Sequence, residues 1–104
     1  LRIGIFGGSF NPVHQQHIRM ARTCRISQNL DEIWFMPVFQ PVHKPGLELL
    51  DFDSRCRLVE KAIAGHEKMQ VTRVEKQLGG PSYTVLTLEF LQRHYPEHQF
   101  YLII

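Results

Sequence analysis

One stretch of the sequence holds residues whose types and spacing suit phosphate chemistry: Gly7-Gly8-Ser9-Phe10-Asn11-Pro12-Val13-His14-Gln15-Gln16-His17. Two glycines let a backbone approach a ligand closely. A helix beginning near Val13 would offer unpaired N–H groups and a positive dipole end, both of which favour anions. His14 and His17 stand three residues apart, so both can face one side of that first turn. Other readings compete. A Walker A loop requires GxxxxGK[ST] and a dinucleotide fingerprint requires GxGxxG; neither string occurs. A zinc pair would need further ligands, and no cysteine or acidic residue stands close in sequence. A glycine-rich turn carrying two partly exposed histidines is the plainest reading of the two imidazoles alone.

The elements that must position this stretch can be read from hydrophobic patterning. Arg2 to Phe6 is a short apolar strand closed by Gly7-Gly8, and Gly7 to Pro12 is then a loop. A helix is predicted from about Val13 to Arg25, with Ile18, Ala21 and Cys24 on one face and Arg19, Arg22 and Arg25 outside it. Ile33 to Met36, stopped by Pro37, is a second strand, with Trp34 in the core. Gln40 to Asp53 holds prolines and a glycine and is predicted to be a long loop, a type that is usually functional. Asp53 or Ser54 would cap a second helix ending at Ala64, with Leu58, Val59, Ala62 and Ile63 inward. Met69 to Val74 is a third, weaker strand. After the Gly79-Gly80-Pro81 turn, Ser82 or Thr84 would cap a helix through about Arg93, with Val85, Leu88 and Leu91 inward. Phe100 to Ile104 is a fourth strand. Such strand–helix alternation implies βαβ units, hence a parallel sheet with helices on its faces.

Length and composition bound what this frame can be. A chain of 104 residues allows one domain. Apolar residues at 43% and charged residues at 21% suit a globular domain and argue against disorder. Twelve basic against ten acidic residues give a net charge of +2, too balanced to imply nucleic-acid binding. No apolar run approaches the ~20 residues of a membrane span, and no signal-peptide pattern opens the chain. Cys24 and Cys56, without CxxC spacing, read as reduced, buried thiols of a cytoplasmic protein. The chain opens at Leu1 and ends inside an apolar run, so both ends read as cuts.

Taken whole, Gly4-Ile5-Phe6-Gly7-Gly8-Ser9-Phe10-Asn11-Pro12-Val13-His14 through His17 resembles the signature of the HxGH nucleotidyltransferase superfamily. Further blocks narrow the resemblance to bacterial nicotinate-nucleotide adenylyltransferases. Asp31 to Pro37 is similar to their second strand, Gln40-Pro41-Val42-His43-Lys44 to their proline–histidine–lysine loop, and Gly80-Pro81-Ser82-Tyr83-Thr84 to their substrate loop. The sequence departs from the pattern at Gln16, where the family has glycine.

The resemblance implies an α/β, Rossmann-like parallel sheet with helices on both faces and strand order 3-2-1-4, formed by residues 1–104. It also implies that a fifth strand, closing helices, a Gly-x-Asp turn and an arginine-bearing phosphate motif lie beyond this stretch. The implied reaction, a step of NAD biosynthesis, is adenylyl transfer from ATP to nicotinate mononucleotide with magnesium assisting, giving deamido-NAD and pyrophosphate. His14 and His17 would be catalytic. Gly7, Gly8, Ser9, Phe10 and Lys44 would join them in holding ATP phosphates, and Tyr83 and Thr84 would hold the nicotinate ring and its carboxylate. No metal ligands, nucleic acid or membrane are implied, the expected compartment is the cytoplasm, and a homo-oligomer is allowed. A related enzyme acting on phosphopantetheine or nicotinamide mononucleotide, or a non-catalytic nucleotide-binding module, are the alternatives.

Overall fold

Alternation within two apolar runs sets the sheet. Ile3 and Ile5 project to one face of the first strand and Phe6 to the other; Trp34 and Met36 oppose Ile33 and Phe35 in the second. The computed structural model describes residues 1–39, 50–79 and 84–103. Its strands are β1 (Arg2–Gly8), β2 (Glu32–Pro37), β3 (Met69–Val71) and β4 (Gln99–Ile103). All pairings are parallel, in the order β3-β2-β1-β4. Ile5 lies opposite Trp34 on one side and Leu102 on the other, so β1 is central. That order is the expected one, and it places the end of β1 in the middle of the sheet's carboxyl edge, where open α/β sheets bind ligands.

Helices cover both faces. Phe6, Ile33, Phe35 and Met69 pack with Ile18 and Ala21 of α1 (Gln15–Ser27) and with Val59 of α2 (Phe52–Ala62). On the opposite face, Ile3, Ile5, Trp34 and Met36 pack with Val74 of α3 (Val74–Leu78) and Leu91 of α4 (Thr84–His94). Cys56 is buried and Cys24 half-buried, and neither forms a disulfide. No described helix is long and apolar enough to cross a membrane.

The structure revises several expected boundaries. Gly7 and Gly8 are not loop; they pair with Met36 and Pro37 as the last residues of β1. The cap of α2 is Asp51 rather than Asp53 or Ser54. Its Oδ1 accepts the Ser54 N–H at 2.6 Å, and this hydrogen bond lowers the Asp51 pKa. The inward stripe of α2 consequently carries Phe52, Arg55, Cys56 and Val59, while Leu58 and Ala62 are exposed. The third strand ends at Val71, because Thr72 accepts the Val74 N–H through Oγ1 and turns the chain into the unforeseen α3. Val85 points outward; Thr87 takes the inward place, with its hydroxyl donating to the buried Glu75 carboxylate at 2.9 Å.

Candidate active site

The strand–loop–helix unit from β1 to α1 builds a cleft of about 410 Å³. It is lined by the chain from Phe6 to Pro12 and by His14 and His17. Six of the expected site residues, Gly7, Gly8, Ser9, Phe10, His14 and His17, therefore meet in one place. Lys44 and Tyr83 lie outside the described residues, and Thr84 is the first residue of α4. Gln16 is exposed on the first turn of α1 and does not line the cleft.

Each lining residue has a local reason for its position. Phe10 adopts a left-handed backbone, φ 47°, unusual for a bulky residue, and its side chain is 98% buried, with 2% exposed. Its ring packs against Phe6, Phe35 and His17. Gly8 leaves the space this needs: a Cβ there would stand 3.3 Å from Phe10 Cζ. The second glycine thus makes room for the loop's own anchor. A Cβ on Gly7 would meet only Met36, its Cε at 3.4 Å and its carbonyl oxygen at 3.9 Å.

His14 is the N-cap of α1, with extended backbone (φ −144°, ψ 178°). Its N–H donates to His17 Nδ1 at 3.0 Å. A neutral His17 accepting at Nδ1 carries its proton on Nε2, so its remaining polar atom is a donor. The two imidazoles stack with centroids 4.1 Å apart. Partial burial, and then the neighbouring His14 ring, push the His17 pKa below its ordinary 6.5. Protonating His17 also sacrifices the bond from the His14 N–H. A histidine with a lowered folded pKa stabilises the fold above its unfolded value, and that contribution fades as the pH falls. An NMR titration should accordingly place the His17 midpoint below 6.5. In His14→Gln the midpoint should rise only part of the way back, since burial is the larger cause. A midpoint at or above 6.5 in the unsubstituted protein would contradict this account.

Arg55 escaped the sequence reading. It is buried, and its guanidinium donates to three backbone carbonyls: Nε to Leu50 at 2.9 Å, and Nη1 to Ser9 at 2.9 Å and Val38 at 2.8 Å. Its signal was its place on the stripe of Phe52, Cys56 and Val59, where a charged residue is out of character. Burial lowers its pKa from the ordinary arginine value.

The chain is thus an open α/β domain, a parallel sheet with helices on both faces and a cleft where a central strand meets a helix N-terminus, the place where such sheets bind ligands. Residues 5–104 match the cytidylyltransferase-like family model, and the chain belongs to that family. It is 41% identical over 103 residues to a Bacillus pumilus protein and 42% identical over 103 residues to one from Gloeobacter violaceus, both named "probable nicotinate-nucleotide adenylyltransferase". Each alignment covers 99% of this chain but 54% and 50% of the relative. The chain thus spans about half the length of the curated relatives it matches. A crystal structure from Vibrio parahaemolyticus, provisionally named nicotinate-nucleotide adenylyltransferase, superposes with a TM-score of 0.72 at 26% identity, covering 99% of this chain and 56% of that one. The Plasmodium falciparum nicotinic acid mononucleotide adenylyltransferase complexed with NaAD shares the fold, with a TM-score of 0.75 at 20% identity over 97% of this chain and 50% of that one.

Proposed function

We propose that the whole protein to which this chain belongs transfers the adenylyl group of ATP to the phosphate of nicotinate mononucleotide, in the cytoplasm, as a step of NAD biosynthesis. The observation that carries the reading is the cleft at the end of β1, where His14 and His17 stand at the N-terminus of α1 beside the Ser9–Phe10 backbone. An oxygen of the mononucleotide phosphate attacks the α-phosphorus of ATP in line. The bond from that phosphorus to the bridging oxygen breaks, and pyrophosphate leaves with the electron pair. No protein nucleophile is required, so the protein's work is positioning and charge stabilisation. The His17 Nε2–H, the His14 ring and the free N–H groups of α1 donate to phosphate oxygens. Lys44 adds a cation to the polyphosphate.

Among the described residues, no group of three or more His, Cys, Asp or Glu side chains could hold a metal ion. Magnesium would come with the ATP substrate and would offset charge on its phosphates. Thr84 with the amide donors that open α4, and Tyr83 before it in sequence, would receive the nicotinate carboxylate and ring. The test is pyrophosphate release by the full-length protein with ATP and each of three acceptors: nicotinate mononucleotide, its amide and phosphopantetheine. The nicotinate form should give the highest kcat/KM, because leaving those donors poorly paired costs about 1–3 kcal/mol. A preference for another acceptor would move the protein to a neighbouring activity; ATP binding without turnover would make it a binding module.

A further inference from the structure

We propose that Arg55 is a positioning residue of the nucleotide cleft, closing two hydrogen-bonded rings that hold the Ser9–Phe10 peptide in its working orientation. The first ring joins the ends of two strands. Val38 N–H donates to the Gly8 carbonyl at 3.0 Å, the Val38 carbonyl accepts from Arg55 Nη1, and the same Nη1 reaches the Ser9 carbonyl. The second ring passes through Leu50, whose N–H donates to Asn11 Oδ1 at 2.8 Å while its carbonyl accepts from Arg55 Nε. Ser9 and Asn11 both line the cleft; Arg55 does not.

Two physical points carry this beyond ordinary stability. A buried cation whose described hydrogen bonds all go to neutral carbonyls is an expensive way to fill a core position on α2; an aliphatic side chain would serve α2 better. The return lies in convergence, since a planar guanidinium can hold several acceptors in fixed directions where an ammonium or an amide cannot. The peptide group is also planar and trans, so its C=O and N–H point opposite ways. Turning the Ser9 carbonyl onto Arg55 therefore aims the Phe10 N–H away from Arg55. Arg55 thus acts through the loop and needs no contact with substrate.

The test uses the full-length protein with Arg55→Lys, which keeps the charge and loses the fork, and Arg55→Ala with added guanidinium ion. The kinetic arm rests on the adenylyl-transfer reading; the exchange arm does not. In Arg55→Lys, amide exchange at Val38 and Leu50, whose N–H groups donate to the loop, should quicken about tenfold while Ile5 and Phe35 keep their protection, as for a local opening. The KM for ATP should rise about tenfold with kcat nearly unchanged, the signature of lost binding that is uniform along the reaction. Millimolar guanidinium should lower the raised KM of Arg55→Ala.

Unchanged loop exchange and unchanged KM would overturn the proposal. So would loss of protection spread evenly through the core without guanidinium rescue. Should the Arg55 variants fail to fold, Asn11→Ser opens the second ring from its exposed side. It should quicken exchange at Leu50, and failure to do so would equally overturn the proposal. If the unsubstituted protein transfers no adenylyl group, the functional reading fails alone and the exchange pattern still decides the role of Arg55.

Discussion

His14→Ala and His17→Ala are each expected to lower the proposed adenylyl transfer by the full-length protein by about 10²–10⁴, the range for removal of a group that stabilises developing charge or transfers a proton. The two losses should differ in kind. His14 is exposed, and its substitution removes a donor while leaving the packing under α1 intact. His17 is half-buried, stands edge-on to Phe10 at 5.1 Å, and fixes the start of α1 by accepting the His14 N–H. Its removal should therefore cost some stability as well as turnover. His17→Gln, whose amide nitrogen can stand in for the Nε2 donor, should retain more activity than His17→Ala. Pyrophosphate release with ATP and nicotinate mononucleotide measures all three variants, with urea unfolding as the stability control. Wild-type turnover in both alanine variants would remove the imidazoles from the chemistry.

What was legible in the sequence was what is local or periodic. The apolar runs of β1 and β2 and the strand–helix alternation define a parallel sheet, since connections between parallel strands are right-handed and place helices on its faces. The cleft was legible because Gly7 through His17 is one continuous string and needs no distant partner to be noticed. Arg55 was not, because its acceptors stand 46, 17 and 5 residues away and are backbone carbonyls, which no residue type announces. The end of β3 turned on a single Thr72 hydroxyl. The outward Val85 follows from the Thr87–Glu75 hydrogen bond, which makes a threonine the better inward residue on α4. Gln16, the departure from the family pattern, lies exposed on the first turn of α1 and off the cleft wall.

Phe10 joins fold and site, and its substitution should cost much stability. Sequence placed it in a phosphate loop; the structure sinks its ring between Phe6, Phe35 and His17, over the space left by Gly8. Phe10→Ala should cost about 3–5 kcal/mol, the sum of lost transfer energy and an unfilled cavity. That is a large part of the roughly 5–15 kcal/mol that holds a domain folded. The backbone adds a second, separable test. At φ 47° an alanine keeps the left-handed strain that glycine escapes, a difference of about 1–2 kcal/mol. Phe10→Gly should therefore be no less stable than Phe10→Ala, although glycine normally weakens a chain through its extra freedom when unfolded. Urea denaturation of the three proteins decides both points. A loss below about 1 kcal/mol in Phe10→Ala would mean that the ring does not anchor the loop, since truncating a packed phenylalanine costs about 3–5 kcal/mol. A glycine variant clearly weaker than the alanine variant would mean that the left-handed turn carries no strain. If both expectations hold, the cleft takes its shape from an apolar anchor seated over a glycine as much as from the polar groups that face the ligand.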